Sequence, residues 1–289
     1  MKTLLVLLIA TYLLSGFVST QVSLPAAAQV PIRIIIAGTL ALPFLSLQRL
    51  RGLSVRSRGL CFSTAFAGYI VGAWAFSHAI ALGGYSIAVF ITSLPWLGLL
   101  EFLIRGEAVD ARDRGVLALS TVGGVVFFAP TLSFDSEAGY HTSSIIWSIV
   151  AAMAGAFAQY GRRLHSHDVP SAAVADGVIV SAVLQALVMI GAVKVDLKGG
   201  DLLWLLVGGG CYFISNRLYN SVFATVSPTL AAVWMSTEPI IALILSALFL
   251  GVWPSAWQCT GGSLLLIAAL SHSSFATNHH TLTSRSVRS

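Results

Sequence analysis

Residues 170–193 read PSAAVADGVIVSAVLQALVMIGAV, a run whose only formally charged side chain is Asp176. A helix rises 1.5 Å per residue, so about 20 apolar residues cross a hydrocarbon core about 30 Å thick. This run is long enough. Nine others satisfy the same rule, giving spans at 3–21, 28–47, 60–82, 86–104, 114–131, 143–161, 170–193, 202–224, 229–250 and 255–272. The composition agrees: 56% of the 289 residues are hydrophobic and 9% charged, and the mean hydropathy is +0.86. A soluble domain carries about 25% charged residues. The expected fold class is all-α, a polytopic membrane protein of ten transmembrane helices.

Basic residues orient the spans. With the N-terminus inside, cytoplasmic segments hold Lys2, Arg49, Arg51, Arg56, Arg58, Arg105, Arg112, Arg114, Arg162, Arg163, Arg285 and Arg288. External loops hold Lys194 and Lys198, while Arg33 and Arg217 lie within spans. This positive-inside bias places both termini in the cytoplasm, as an even number of spans requires. The loop with Asp135 and Glu137 is external and carries no base. A net charge of +5 then reflects topology and contact with anionic lipid, and excludes nucleic acid as a partner.

Met1-Lys2 and the apolar Thr3–Leu14 have the charged start and short core of a secretory signal. The apolar character continues through Phe17 and Val18, and losing this segment would spoil the repeat described next, so it is read as span one. Cys61, Cys211 and Cys259 lie in or beside spans without paired spacing and read as small packing residues, with no disulfide framework or zinc site.

The chain divides into two similar halves of five spans. Pro25-Ala26-Ala27-Ala28 opens span two as Pro170-Ser171-Ala172-Ala173 opens span seven, and Ser93-Leu94-Pro95 matches Thr237-Glu238-Pro239. The apolar runs after these prolines end in Gly106 and Gly251. Five spans is an odd number, so the halves must cross in opposite senses, an arrangement that recurs in secondary transporters with binding at the repeat interface. The expected division is residues 1–138 and 139–272 as repeats, with 273–289 a disordered cytoplasmic tail.

On these motifs the chain resembles the EamA-type members of the drug/metabolite transporter superfamily over residues 15–272. Ser15-Gly16-Phe17 is similar to the family's first-helix Gly-Ser-Asn-Phe region, without the tryptophan that usually precedes it. Arg33 with Ala37 and Leu40 is similar to its second-helix arginine, and Pro95 with Gly106-Glu107 to its proline and terminal Gly-Glu. In the second half, Ser227-Pro228, Glu238-Pro239 and Gly251 are similar to the corresponding signature, but Val252 stands where the family has glutamate. The resemblance implies a substrate cavity between the halves, lined largely by helices three, four, eight and nine. It also implies small metabolites such as amino acids as cargo, often moved outward, and no cofactor.

Polar residues inside the spans are the candidate substrate-binding set. Glu238 lies about 15 Å from the cytoplasmic surface, near the midplane, where a carboxylate costs roughly 2.5–3.5 kcal/mol unless paired, protonated or hydrated. Pro239 beside it removes a backbone donor and frees a carbonyl. Arg217 lies as far before the Ser227-Pro228 turn as Glu238 lies after it, so the two reach similar depth. They form either a static ion pair or a pair responsive to substrate or proton. Tyr212, Asn216 and Tyr219 share one helical face, extended by Ser215 and Asn220. Trp74 and His78 sit one turn apart; Trp96 and Trp234 stack on a substrate or fill the core.

Other polar positions carry milder expectations. Arg33 is expected to snorkel outward, with Asp176 reaching water or a neighbour. His165-Ser166-His167-Asp168 reads as a solvated loop and Gly208-Gly209-Gly210 as close helix packing. Three functions compete: a metabolite carrier, a drug or lipid exporter of the same superfamily, and an intramembrane enzyme. Neither His-Glu-x-x-His nor Gly-x-Ser-x-Gly occurs to favour the enzyme. The expected protein is a multi-pass transporter of the cell (inner or plasma) membrane. Its partners are the bilayer and a small-molecule substrate, with proton coupling possible at Glu238, no cofactor and an undetermined oligomeric state.

Overall fold

The computed structural model describes residues 2–83, 85–94, 96, 100, 111–129, 142–165, 169–193, 195–223, 228–250 and 253–286. Arg105, Gly106-Glu107, Pro95, the Asp135–Glu137 loop, Ser166–Asp168, Lys194, Ser227, Gly251-Val252 and Arg288 lie outside the described residues.

All regular structure among the described residues is helical. Its α-helices are α1 (Lys2–Gln21), α2 (Ala26–Ala41), the short α3 (Leu47–Arg51), α4 (Val55–Ala65), α5 (Ala73–Gly83), α6 (Tyr85–Ser93) and α7 (Ala111–Phe128). They continue as α8 (Thr142–His165), α9 (Ser171–Ile190), α10 (Asp201–Phe223), α11 (Pro228–Met235), α12 (Glu238–Leu250) and α13 (Ala256–Ser286). A 3-10 turn, Leu42–Phe44, follows α2, and a π-helical segment, Phe66–Gly72, joins α4 to α5.

Local chemistry sets the ends. Pro25 and Pro170 precede α2 and α9 in non-helical conformation, and each carbonyl accepts from the N–H groups three and four residues on, at 2.8 and 3.0 Å and at 2.8 and 3.2 Å. The two motifs matched in the sequence thus start helices in the same way. Ser46 and Ser54 cap α3 and α4 by accepting from Arg49 and Ser57 N–H. Span nine is interrupted. Helix α11 ends at Met235, Ser236-Thr237 forms a turn, and α12 begins at Glu238. Pro239 has no N–H to continue a helical ladder, which accounts for the break. Helix α6 likewise ends at Ser93, at the corresponding motif.

Four helical stretches among the described residues are long and apolar enough to cross a membrane: Ala26–Phe44, Val55–Leu82, Thr142–His165 and Ser171–Ile190. Leu184, Leu187 and Val188 on α9 and Ile145, Ile146 and Phe157 on α8 are exposed. An outer surface of this kind suits lipid tails and is costly in water.

Contacts group the chain into two compact units, Met1–Thr92 with Asp135–Val226, and Ser93–Phe134 with Ser227–Ser289. Each draws on both halves of the sequence. In the first, α2 packs between α9 and α10, α1 lies on α10, and the π segment and α5 lie on α8. Its core joins Ile34, Ala37, Val178, Ile179 and Ala182 to Tyr69 and Tyr212. Lipid tails are as apolar as leucine, so close contact between helices holds such a bundle more than burial does. Gly208 and Gly209 on α10 show it: a Cβ there would overlap the Arg33 guanidinium and Ile36 respectively. In the second unit α7 packs on α13, with α11 against both.

Outside the apolar core, Asp201 ties the α1–α2 connection to the start of α10. It accepts from Ser23 N–H at 2.9 Å, Ser23 hydroxyl at 2.7 Å and Lys198 N–H at 3.1 Å. These bonds, the Ser23 N–H foremost, hold its carboxyl below the usual carboxylate range.

Candidate functional site

Helix α8 turns a face of small residues inward: Ser144, Ser148, Ala151, Ala154 and Ala158 are buried at steps of three or four. Small side chains on α8 and the π segment bring the helices close yet leave space at Gly155, where a Cβ would meet nothing within 4 Å. The result is a cavity of about 90 Å³ inside the first unit, bounded by α1, the π segment, α5, α8 and α10. Its polar lining includes Ser15, Ser77, Gln159, Arg162, Tyr212, Ser215 and Tyr219. The π register offsets this stretch from regular α spacing, a feature frequent at functional sites, and Tyr69 lies within it.

Two buried guanidinium groups govern the electrostatics. Arg33 is fully buried behind the cavity wall and donates to the Ser19 hydroxyl, the Ser15 carbonyl and the Ser15 hydroxyl, each at 2.6 Å. Its guanidinium also stands 4.6 Å from the centre of the Tyr212 ring. Tyr212 meets Tyr69 edge to face at 5.6 Å. Beyond Tyr69 comes Arg162, 5% exposed, with its guanidinium 5.6 Å from that ring and 4.8 Å from the Tyr219 ring. Arg162 Nη2 reaches Tyr69 Oη and Asn216 Oδ1, both at 3.5 Å, while its buried Nε, like that of Arg33, has no acceptor among the described residues. No carboxylate among the described residues pairs with either arginine. Asn216 in turn donates to the Ala175 carbonyl at 2.9 Å, fixing its amide.

Several expectations are corrected. Arg33 does not snorkel; two serines one turn apart on α1 supply acceptors inside the bundle. Arg162, counted with the cytoplasmic basic residues, belongs to the last turn of α8 and faces the cavity. His165 is not solvated. It is 2% exposed, with Nδ1 2.8 Å from the Gly161 carbonyl and Nε2 3.0 Å from the Ser57 carbonyl. Arg217, expected at the depth of Glu238, meets Asp176 within the first unit. Its Nη2 lies 2.8 Å from Asp176 Oδ1, an electrostatic contact off the line of a hydrogen bond. Arg49 Nε donates to Oδ2 of the same carboxylate at 2.8 Å, and both arginines reach the Phe44 carbonyl. Asp176 is fully buried under this pair.

Of the predicted site residues, Tyr212 lines the cavity and Asn216 touches it through Arg162. Trp74 and His78 stack at 5.4 Å and meet Trp147 edge-on at 4.8 and 5.2 Å, an aromatic cluster on α5 and α8 outside the cavity lining. The remaining three belong to the second unit. Trp96 is half-buried there, its N–H bonded to the Leu94 carbonyl at 2.7 Å. Trp234 is buried at the end of α11, with no acceptor for its indole N–H. Glu238 is 2% exposed at the first position of α12, and its Oε1 has no donor among the described residues. In the same break the Ser236 and Ser120 hydroxyls are hydrogen-bonded. Spans one, three, six and eight line the first unit's cavity, whereas the resemblance implied helices three, four, eight and nine.

No group of three or more His, Cys, Asp or Glu side chains stands together among the described residues. No curated protein matches the chain. A solved structure described only as "Crystal structure of protein" superposes with a TM-score of 0.70 at 18% identity, over 92% of this chain and 93% of that one. That likeness shows a shared fold. The EamA-like transporter family matches residues 142–273, from the start of α8 into α13. With its apolar spans and lipid-suited outer surface the chain is a membrane protein, and its second half belongs to the EamA-like transporter family.

Proposed function

We propose that the chain is a secondary transporter that exports small metabolites such as amino acids by alternating access. Its ten spans would form two inverted repeats, with both termini cytoplasmic in the cell membrane. The observation that carries this reading is a cavity lined by hydroxyl, amide, aromatic and guanidinium groups inside an apolar helical bundle of a transporter family. Such groups are costly at membrane depth unless paired or facing water, and those that face a cavity mark solute paths. The helix ends at Ser93 and Met235, at matching motifs, support the repeat, because transporters place broken helices at corresponding positions of their two halves. A cavity of about 90 Å³ favours a small solute over a lipid or a bulky drug. Metabolite levels inside and outside cells, with and without overexpression, test the reading. A small polar metabolite should fall inside and rise outside, and unchanged pools of every such metabolite would reject export.

Proton coupling is proposed for Glu238. Its buried carboxyl, with Oε1 unpartnered at a helix break, is suited to holding a proton. Glu238→Gln should leave the protein folded and remove the pH dependence of transport. Transport that keeps the wild-type pH profile would assign coupling elsewhere.

A further inference from the structure

Resting on the transporter reading, we propose that Arg162 binds the carboxylate of the transported solute, making the cavity of the first unit a site for small carboxylate-bearing molecules. The two buried arginines of this unit differ in one respect. Arg33 spends its donors on three oxygens at 2.6 Å and lies behind the wall. Arg162 lines the cavity, and its two bonds, both from Nη2, are stretched to 3.5 Å; the buried Nε of each arginine has no acceptor among the described residues. A guanidinium carries five N–H donors and cannot shed its charge. Buried without a carboxylate and with only stretched bonds, its charge is costly, and an anion in the cavity would offset that cost.

The surroundings select the anion. Tyr69 and Tyr219 meet Arg162 through their ring faces, contacts that use none of its in-plane N–H donors, of which Nη2 alone makes long bonds to Tyr69 and Asn216. Those donors match two carboxylate oxygens in a planar fork. Asp176 and Asp201, the buried carboxylates of this unit among the described residues, are already held, the first by Arg49 and Arg217 and the second by Ser23 and the Lys198 N–H, and do not compete. The cavity volume of about 90 Å³ is roughly three waters' share of liquid, the scale of a small metabolite. Fully buried Arg33, its Nη groups bound to Ser15 and Ser19, adds positive potential from outside the cavity lining.

The test uses the full-length protein, purified in detergent and also reconstituted in liposomes. Thermal stability is titrated with acetate, L-alanine, inorganic phosphate and acetamide, the uncharged counterpart of acetate. Acetate and L-alanine should stabilise the wild type while acetamide does not. Arg162→Gln should abolish the effect. Arg162→Lys keeps the charge and the fold but loses the fork, and should weaken apparent affinity at least tenfold. Equal affinity in Arg162→Lys, equal stabilisation by acetamide, or stabilisation by phosphate alone would overturn the site. Flux of labelled L-alanine in the same preparations separates this from the transporter reading. Flux with Arg162-independent binding overturns the site alone, whereas Arg162-dependent binding without flux supports the site and counts against transport.

Discussion

Asp176 provides the sharpest energetic test of the fold. Its carboxylate is fully buried, and its two cations, Arg49 and Arg217, are 38% and 25% exposed. Removing one arginine leaves the carboxylate paired at 2.8 Å with the other. Arg49→Gln or Arg217→Gln alone should therefore cost only about 1 kcal/mol, the scale of a partly exposed pair. Removing both strands a buried charge, and breaking a buried pair in that way costs about 3–5 kcal/mol. The double variant should thus lose about 1–3 kcal/mol more than the sum of the single losses. Adding Asp176→Asn to the double variant removes the stranded charge and should restore most of the loss. The assay is a thermal-unfolding cycle in detergent on the wild type, both single variants, the double and the triple. Additive losses within about 0.5 kcal/mol, or a triple variant no better than the double, would refute the shared carboxylate.

Three other expectations follow from particular contacts. A Cβ at Gly261 would collide with the Phe127 backbone of α7, so Gly261→Ala should destabilise the second unit by about 1–3 kcal/mol; Gly210→Ala, which meets nothing within 4 Å, is the control, and size-exclusion profiles with thermal melts distinguish them. Asp201 has its pKa lowered by Ser23, so the stability it adds is present above the unfolded value of about 3.9 and lost as pH falls through the lower folded value. Asp201→Asn should therefore melt below the wild type near pH 7, and the gap should close under acid; a gap that widens on acidification would contradict the assignment. Gly155→Leu should fill the cavity and stop flux while leaving the melting temperature close to that of the wild type, as transport and melting assays on one preparation can show.

The membrane class and the family were legible because both are written in local sequence: apolar runs of spanning length, and short motifs around Pro25, Pro170, Glu238 and Gly251. The interruption at Glu238-Pro239 was legible for the same reason, since a proline acts on its own backbone. Side-chain partners were not. Equal distance from a turn made Glu238 a reasonable mate for Arg217, but Asp176 comes from α9, and helix adjacency is not encoded in depth. Burial of Arg33 required knowing that α1 presents Ser15 and Ser19 to it. Arg162 was missed because Arg162-Arg163 beside a polar loop reads as a topological signal. The small-residue face of Ala151, Ala154 and Ala158 continues in step to Arg162, and extending that periodicity one more turn would have found it.

The most direct measurement is counterflow of labelled small amino acids, L-alanine first, into liposomes carrying the purified protein, with Gly155→Leu liposomes beside them. The account predicts saturable, protein-dependent exchange for the wild type and none for the folded Gly155→Leu variant. Wild-type exchange no faster than in empty liposomes, or undiminished exchange through the filled cavity, would contradict it.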